Sequence, residues 1–366
     1  MIFSVDRSKL LEAVTHLQRA IGIKTSMPIL ESISISDEQG KITLITYNLE
    51  MGMKREIYAK CEESGDIVIN ARLLADILRR LNGAQVEISA DSKLNCNIKS
   101  GEATFDIMGM AAIDFPEMPS VAEGNKFSVD GKLLSEMVKG TIFAAAQQEG
   151  SKPILTGINI SLSGGDLQLV AIDGYRLAIR KEKIDCQNEI EFTVSSKAIG
   201  EAVKLIDEKI ENIEINVSNR LISFNIGGYN FISRLIDGEF VNYKKTIPAS
   251  HLQRVVVKTR ELINTIERVS LLISESFSTP VRCYFNELNV VFTCATAIGR
   301  ATETFNVKLE GESFEIGLNS RYLLEALKTT ESENVQILFN GPNAGVIISP
   351  IEGEEFKYMI MPMRLK

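Results

Sequence analysis

The chain has 366 residues, 45% hydrophobic and 24% charged, with a net charge of −8 and a mean hydropathy of +0.05. That is the composition of a globular protein large enough for two or three domains. Residues 1–7 reach charge too early for a secretory signal, and no apolar run approaches the roughly 20 residues of a membrane span, so a cytoplasmic protein with no membrane partner is expected. Five scattered cysteines without a C-x-x-C pair and two distant histidines, His16 and His251, exclude a disulfide framework and leave metal chemistry without a ligand set; no metal or cofactor is expected.

In chain order, FSVDRSKLLEAVTHLQRAI from Phe3 starts as a strand and passes into helical spacing at Leu10, Leu11, Val14 and Leu17, with Asp6 placed to cap the helix. KITLITYNLEM from Lys41 alternates in polarity and is dense in β-branched residues, which predicts strand. IVINARLLADIL from Ile67 is strand into helix with Asn70 at the cap, and VEISADSKLNCNIKSGEATFDIMGM has the Asp/Asn/Gly-rich centre of paired strands. A linker follows over residues 116–123.

The same order then recurs. FSVDGKLLSEMVKGTIFAA starts at Phe127 with Asp130 as cap, DLQLVAIDGYRLAI at Asp166, FTVSSKAIGEAV at Phe192 with Ser195 at the cap position, and paired strands follow from Ile213. After a second linker over 247–251 a third copy runs from Val255, with strands from Glu287, a strand and helix from Ile316 capped by Asn319, and paired strands from Val335. The pattern predicts an α+β chain of three repeated domains, residues 1–119, 120–248 and 249–366, each with two helices on one face of antiparallel sheet.

Net acidity argues against nucleic acid unless a basic face is hidden in the average. The first-domain helices are locally basic, with Arg7, Lys9, Arg19 and Lys24 against Glu12, and Arg72, Arg79 and Arg80 against Asp76. Lys24, Arg72, Arg79, Lys152 and Lys197 are the candidates for phosphate contact; the bland alternative is solvated side chains. No aromatic interleaving suggests stacking on single strands, so any attraction would be sequence-blind.

Three segments, Met27-Pro28-Ile29-Leu30, Asp173-Gly174-Tyr175-Arg176-Leu177 and Met361-Pro362-Met363-Arg364-Leu365, together with the threefold order, closely resemble the β subunits of bacterial DNA polymerase III, the sliding clamps, over essentially the whole chain. The resemblance implies a DNA-clamp fold and a ring-shaped head-to-tail homodimer with helices lining the hole. It implies a processivity factor, not an enzyme, that encircles double-stranded DNA without sequence preference. Its implied partners are the replicative polymerase α subunit, an ATP-dependent clamp loader, and other polymerases and repair proteins carrying a short clamp-binding motif.

The resemblance places Lys24, Arg72 and Arg79 at basic positions facing the hole, and puts Thr104, Phe105 and Ile107 on one side of the dimer joint with Leu272 and Ile273 on the other. It nominates a peptide pocket of Leu155, Ile172, Gly174, Tyr175, Arg176, Leu177, Val241, Lys245, Thr246, Asn319, Tyr322, Met359, Met361, Pro362, Met363 and Arg364. Methionines suit varied apolar anchors, and Arg176 and Arg364 are expected to hydrogen-bond a peptide. Against the enterobacterial pattern, Val241 stands for proline, Lys245 for arginine, Thr246 for valine and Tyr175 for histidine, which bears on partner preference.

Other readings stay open at this level. Asp173-Gly174 is also hairpin chemistry, the terminal methionines also suit an inner strand, and the candidate joint residues also suit a core. An enzyme finds no support: Gly131-Lys132 lacks a P-loop, with Lys126 where glycine is needed, and there is no G-x-S-x-G, H-E-x-x-H or dinucleotide fingerprint. A repeat-built scaffold without DNA is the third reading.

Overall fold

A computed structural model describes residues 1–22, 27–38, 40–121, 123–147, 150–273 and 279–365; Lys24 lies outside them. Among the described residues six helices appear, two per sequence repeat: α1 Arg7–Leu17, α2 Ala71–Arg80, α3 Gly131–Ile142, α4 Ser196–Val203, α5 Thr259–Val269 and α6 Ser320–Lys328. Four of the predicted caps form. Asp6 accepts from the Lys9 N–H at 3.0 Å, Asn70 from Leu73 at 3.0 Å, Asp130 from Leu133 at 2.8 Å, and Asn319 from Arg321 and Tyr322 at 3.0 and 3.2 Å. Each satisfies helix-end donors that would otherwise lack a partner. α5 has no side-chain cap; its first residue, Thr259, instead donates its hydroxyl to the Ser332 carbonyl at 2.7 Å and its N–H to the Glu333 carbonyl at 2.9 Å.

The chain packs as two compact units, residues 1–135 with 197–235, and residues 136–196 with 236–366. In the first, a five-stranded sheet runs in the order Lys60–Glu63, Ile2–Asp6, Gln85–Ala90, Asn95–Ser100, Ala103–Met108. An eight-stranded sheet follows the order Asn125–Asp130, Asn212–Val217, Leu221–Ile226, Tyr229–Arg234, Met51–Tyr58, Lys41–Tyr47, Ser32–Glu38, Gly65–Asn70. α1 and α2 pack together, burying Leu10, Ala13, Val14 and Leu17 from one and Leu74, Ala75, Ile77 and Leu78 from the other. Arg7 fastens the pair by donating to the carbonyls of Leu78 and Gly83, both at 3.0 Å.

In the second unit, a nine-stranded sheet is ordered Ile190–Ser195, Gly157–Ser163, Asp166–Ile172, Arg176–Lys183, Phe356–Ile360, Val346–Pro350, Asn334–Phe339, Gln253–Lys258, Leu309–Glu310. A four-stranded sheet carries Gly299–Asn306, Asn289–Thr296, Val281–Phe285 and Phe314–Leu318. Every pairing in both units is antiparallel. The repeats thus share sheets. Tyr229–Arg234 of the second repeat pairs with Met51–Tyr58 of the first, and Arg176–Lys183 with Phe356–Ile360 of the third. An edge strand that finds a partner in the next repeat no longer exposes a row of unpaired peptide groups.

The turn between the third and fourth major strands of each repeat uses a side-chain acceptor. Asn48 accepts from the N–H groups of Glu50 and Met51 at 3.0 and 2.9 Å, Asp173 from Tyr175 and Arg176, each at 2.9 Å, and Thr296 from Ile298 at 3.4 Å. Gly174 takes φ +92°, which glycine adopts without strain; its counterpart Leu49 adopts φ +74° and bears that cost with a side chain.

The cysteines behave as small hydrophobes. Cys96, Cys283 and Cys294 are buried, and Cys61 and Cys186 partly exposed. Burial pushes the Cys96 thiol up to about 11 and raises Cys283 further still, because a thiolate there would lose its hydration. Titration with an aromatic disulfide reagent is therefore expected to label Cys61 and Cys186 in the native protein and the other three only after denaturation; rapid native labelling of Cys283 would contradict the packing.

Candidate binding groove and open sheet edges

The strand Arg176–Lys183 lies beside Phe356–Ile360 in a register that sets Arg176 opposite Ile360, Leu177 opposite Met359 and Ala178 opposite Tyr358. One side of this junction gathers Val170, Leu177, Ile179, Tyr243, Ile347 and Met359 into a buried cluster, against which Ile172, Phe240, Ile247 and Leu338 pack while still partly exposed. A half-covered apolar floor results. The Tyr243 hydroxyl, raised in pKa by burial, accepts from the Gln168 amide at 2.7 Å, so the ring sits in the floor without an unsatisfied polar group. Thr246 donates its hydroxyl to the Tyr243 carbonyl at 2.6 Å and closes the short turn Tyr243–Thr246.

Methionine space is held open by Gly345. A Cβ there would stand 2.8 Å from the Met359 sulfur and 3.4 Å from that of Met361. Met361 and Tyr175 form the exposed rim, 38% and 65% accessible, and are joined by the Met361 N–H donating to the Tyr175 carbonyl at 2.8 Å. The terminal segment is pinned again where Met363 donates its N–H to the Gly317 carbonyl at 2.8 Å. The methionines therefore extend a strand and line a surface at once.

Arg176 is the charged element of the wall, and its side chain is almost wholly buried. Its Nε donates to Asp173 at 2.9 Å and an Nη donates to Glu325. The guanidinium lies 4.2 Å from the Tyr322 ring centroid and 5.6 Å from that of Phe143. Burial, reinforced by the Asp173 charge, raises the Tyr322 hydroxyl pKa. Asn319 serves this wall through the cap of α6, which fixes the turn that carries Tyr322.

The structure thus brings together Ile172, Gly174, Tyr175, Arg176, Leu177, Asn319, Tyr322, Met359 and Met361. Leu155 lies on the 3-10 turn Pro153–Thr156 and Val241 beside Tyr243, both half-buried and outside the apolar cluster; Pro362 and Met363 are half-buried, and Lys245 and Arg364 are exposed. Phe240, Ile247, Leu338, Gly345 and Glu325 escaped the sequence reading. The apolar ones looked like ordinary strand or linker residues, and Gly345 and Glu325 acquire meaning only from neighbours distant in sequence.

The basic candidates divide. Arg72, Lys152 and Lys197 are exposed; Arg79 is bonded to Asp76 at 2.8 Å with both side chains about half exposed. Arg7 and Arg19, which contributed to the apparent basic character of the first helix, are engaged internally, Arg19 with Glu201 at 3.3 Å. His16 packs edge-on against Tyr229, ring centroids 5.1 Å apart, as an ordinary helix-packed imidazole. Among the described residues no group of three or more His, Cys, Asp or Glu side chains could hold a metal ion, and no helix is long and apolar enough to cross a membrane.

Sheet edges are treated unequally. Gly65–Asn70 is bridged at Val68 by Met110, Phe314–Leu318 at Gly317 by Met363, and Ile190–Ser195 at Thr193 by the N–H of Ile236. Asn125–Asp130 presents Asn125, Lys126, Ser128 and Asp130 outward, the polar pattern of a protected edge. Ala103–Met108 is different, and Gly299–Asn306, whose own exposed residues are Gly299, Arg300, Thr302, Thr304 and Asn306, is flanked by exposed apolar side chains. The first exposes Thr104, Phe105 at 37% and Met108 at 70%, with Ile107 half-buried, and the second neighbours Ile298 at 79% and Leu271 at 80%. Leu272 and Ile273 are half-buried there, and the Leu272 Cδ1 lies 3.7 Å from where a Gly299 Cβ would stand.

Three repeated α+β domains joined through shared sheets, with a groove at the junction of the second and third, define the clamp class. Family models for the DNA polymerase III beta subunit match its N-terminal domain at residues 1–119, its central domain at 128–242 and its C-terminal domain at 244–364. The chain belongs to that family. Curated relatives include the beta sliding clamps of Halalkalibacterium halodurans, 29% identical, and Bacillus subtilis, 27% identical, each alignment covering 100% of both chains. Among solved structures, the Bacillus subtilis DNA polymerase sliding clamp superposes with a TM-score of 0.96 at 27% identity over 100% of both chains. A putative DNA polymerase III beta subunit from Eubacterium rectale gives 0.95 at 27% over 99% of both.

Gly345→Ala tests the groove's construction. Overpacking against Met359 is expected to cost about 1–3 kcal/mol, read as a lower urea midpoint at unchanged slope. An unchanged midpoint would mean that the two thioethers do not need that space.

Proposed function

We propose that the chain is a DNA polymerase processivity factor, a non-catalytic ring of two copies that encircles duplex DNA and slides on it without reading sequence. The observation that carries this is full-length likeness to sliding clamps in sequence and fold. The two uncovered edges, one exposing apolar side chains and the other flanked by them, support a head-to-tail joint between Ala103–Met108 of one copy and Gly299–Asn306 of the next, with Thr104, Phe105, Ile107, Leu272 and Ile273 at its centre and Met108, Leu271 and Ile298 beside them. A heterologous contact of this kind closes into a ring when the rotation permits. The domain limits 1–119, 120–248 and 249–366 belong to the same reading.

Retention on DNA then comes from topology. A closed ring leaves only by opening a joint or running off an end, so tight phosphate contact is unnecessary and an acidic chain can serve. Arg72, Arg79, Lys152, Lys197 and Lys24 supply weak, exchangeable attraction of the sort that permits sliding. The groove, with the nominated residues from Leu155 to Arg364, receives a short apolar segment of the replicative polymerase α subunit, the clamp loader, and other polymerases and repair proteins. A Pseudomonas aeruginosa clamp has been solved with griselimycin bound, so a small ligand can occupy a protein of this fold. Each apolar anchor gains about 1.5–3 kcal/mol on burial, offset in part by ordering of the peptide, so affinity is modest and effective concentration does the tethering. The place of action is the cytoplasm.

Loaded onto nicked circular duplex by a clamp loader, the protein is expected to co-elute with the DNA and to be lost when a restriction enzyme linearises it. Equal loss from both forms would remove the ring and favour a scaffold. In native mass spectrometry the wild type should appear at twice the 40.5 kDa chain mass, and Phe105→Glu should shift it to the single-chain mass; a monomeric wild type would contradict the joint.

A further inference from the structure

We propose that Glu325 is a positioning residue of the groove, holding Arg176 against Tyr322 so that the wall is set before a peptide arrives; this rests on the groove being the peptide site. The Arg176 side chain is 9% accessible, and a guanidinium that buried is stable only with its donors engaged. Two carboxylates do this, and they differ in kind. Asp173 is fixed by its own turn, since its Oδ1 accepts the N–H groups of Tyr175 and Arg176 while its Oδ2 takes Nε. Glu325 comes from a different repeat, on α6, one helical turn beyond Tyr322.

The Glu325 contact therefore docks a helix, not merely a side chain. With Glu325 on an Nη and the Tyr322 ring 4.2 Å from the guanidinium, two points on the same face of α6 grip one cation, and that cation belongs to the strand carrying Leu177 into the groove floor. Arg321 donates its Nε to the other Glu325 oxygen at 2.7 Å, an i,i+4 pair on a half-exposed surface, which steadies the carboxylate but contributes little alone. Arg176 consequently has its Nε and one Nη committed. Its part in recognition is to present a rigid wall with Tyr322 stacked on it, leaving exposed Lys245 and Arg364 as the cations open to a peptide carboxylate or carboxamide.

The test uses the full-length protein and a labelled short apolar peptide bearing the clamp-binding motif of a polymerase α subunit, followed by fluorescence anisotropy. Glu325→Gln is expected to raise Kd about tenfold, Glu325→Asp to fall in between, and Arg321→Gln to stay within about twofold. Because the effect runs through the stacked ring, Glu325→Gln in a Tyr322→Leu background should add no more than about twofold; a merely structural loss would add in full. In peptide-free protein, arginine-selective ¹⁵N spectra should show hindered rotation of the Arg176 Nη groups, lost in Glu325→Gln. Wild-type affinity in Glu325→Gln, equal losses in both backgrounds, or unaltered Arg176 signals would overturn the proposal while leaving the groove intact. A wild type that binds no peptide would instead remove the groove reading, and this inference with it.

Discussion

Backbone pairing between Arg176–Lys183 and Phe356–Ile360 is the interaction on which the candidate site depends. These strands come from different repeats, and only their antiparallel register sets Leu177 beside Met359 and aligns the Asp173 turn with the terminal methionines. The groove is therefore a consequence of repeat fusion. The sheet continues through the junction because each edge strand finds peptide partners in the next repeat, which removes the open edges that three separate domains would carry. At the corresponding place in the other compact unit, Tyr229–Arg234 pairs with Met51–Tyr58, and Arg55 there lies 4.5 Å from the Tyr229 ring and donates to the Gly227 carbonyl at the turn.

A floor built this way is apolar and partly flexible, and its wall is charged and rigid. Met359 and Met361 have three rotatable bonds and a polarizable sulfur each, with Gly345 vacating the volume they sweep; they can repack around leucine or phenylalanine anchors alike. Arg176 cannot. Its guanidinium is bonded to two carboxylates and flanked by two rings, so its position is determined by the fold before any ligand arrives. Tolerance and discrimination then reside in different side chains. This division suits the proposed site, which would take several partners through one short segment.

Local physics was legible in the sequence. Asp6, Asn70, Asp130 and Asn319 announced their helices through capping chemistry, the strands showed their period of two, and the threefold order gave the architecture and, through the resemblance, the family. Tertiary commitments were not legible. Arg7 and Arg19 read as basic surface, yet the first fastens carbonyls at the end of α2 and the second is paired with Glu201. Arg176 was nominated as a peptide ligand, and nothing near it in sequence names Glu325, 149 residues away, as a partner of its guanidinium. Strand order, and with it the sharing of sheets between repeats, is likewise a long-range property that alternation cannot encode. The open edges could be suspected from Phe105 and Met108 on a short strand and Ile298 in a hairpin turn, but exposure decides the matter and exposure belongs to the folded chain.

Amide hydrogen exchange resolved to short peptides, measured with and without a saturating apolar peptide, tests the central claim most directly. Pairing across the repeat junction predicts strong protection of segments 176–183 and 356–360 in the free protein, and further slowing at 172–177 and 359–363 on binding, with 41–58 unchanged. Rapid exchange at the junction, or protection by peptide appearing elsewhere, would contradict the account.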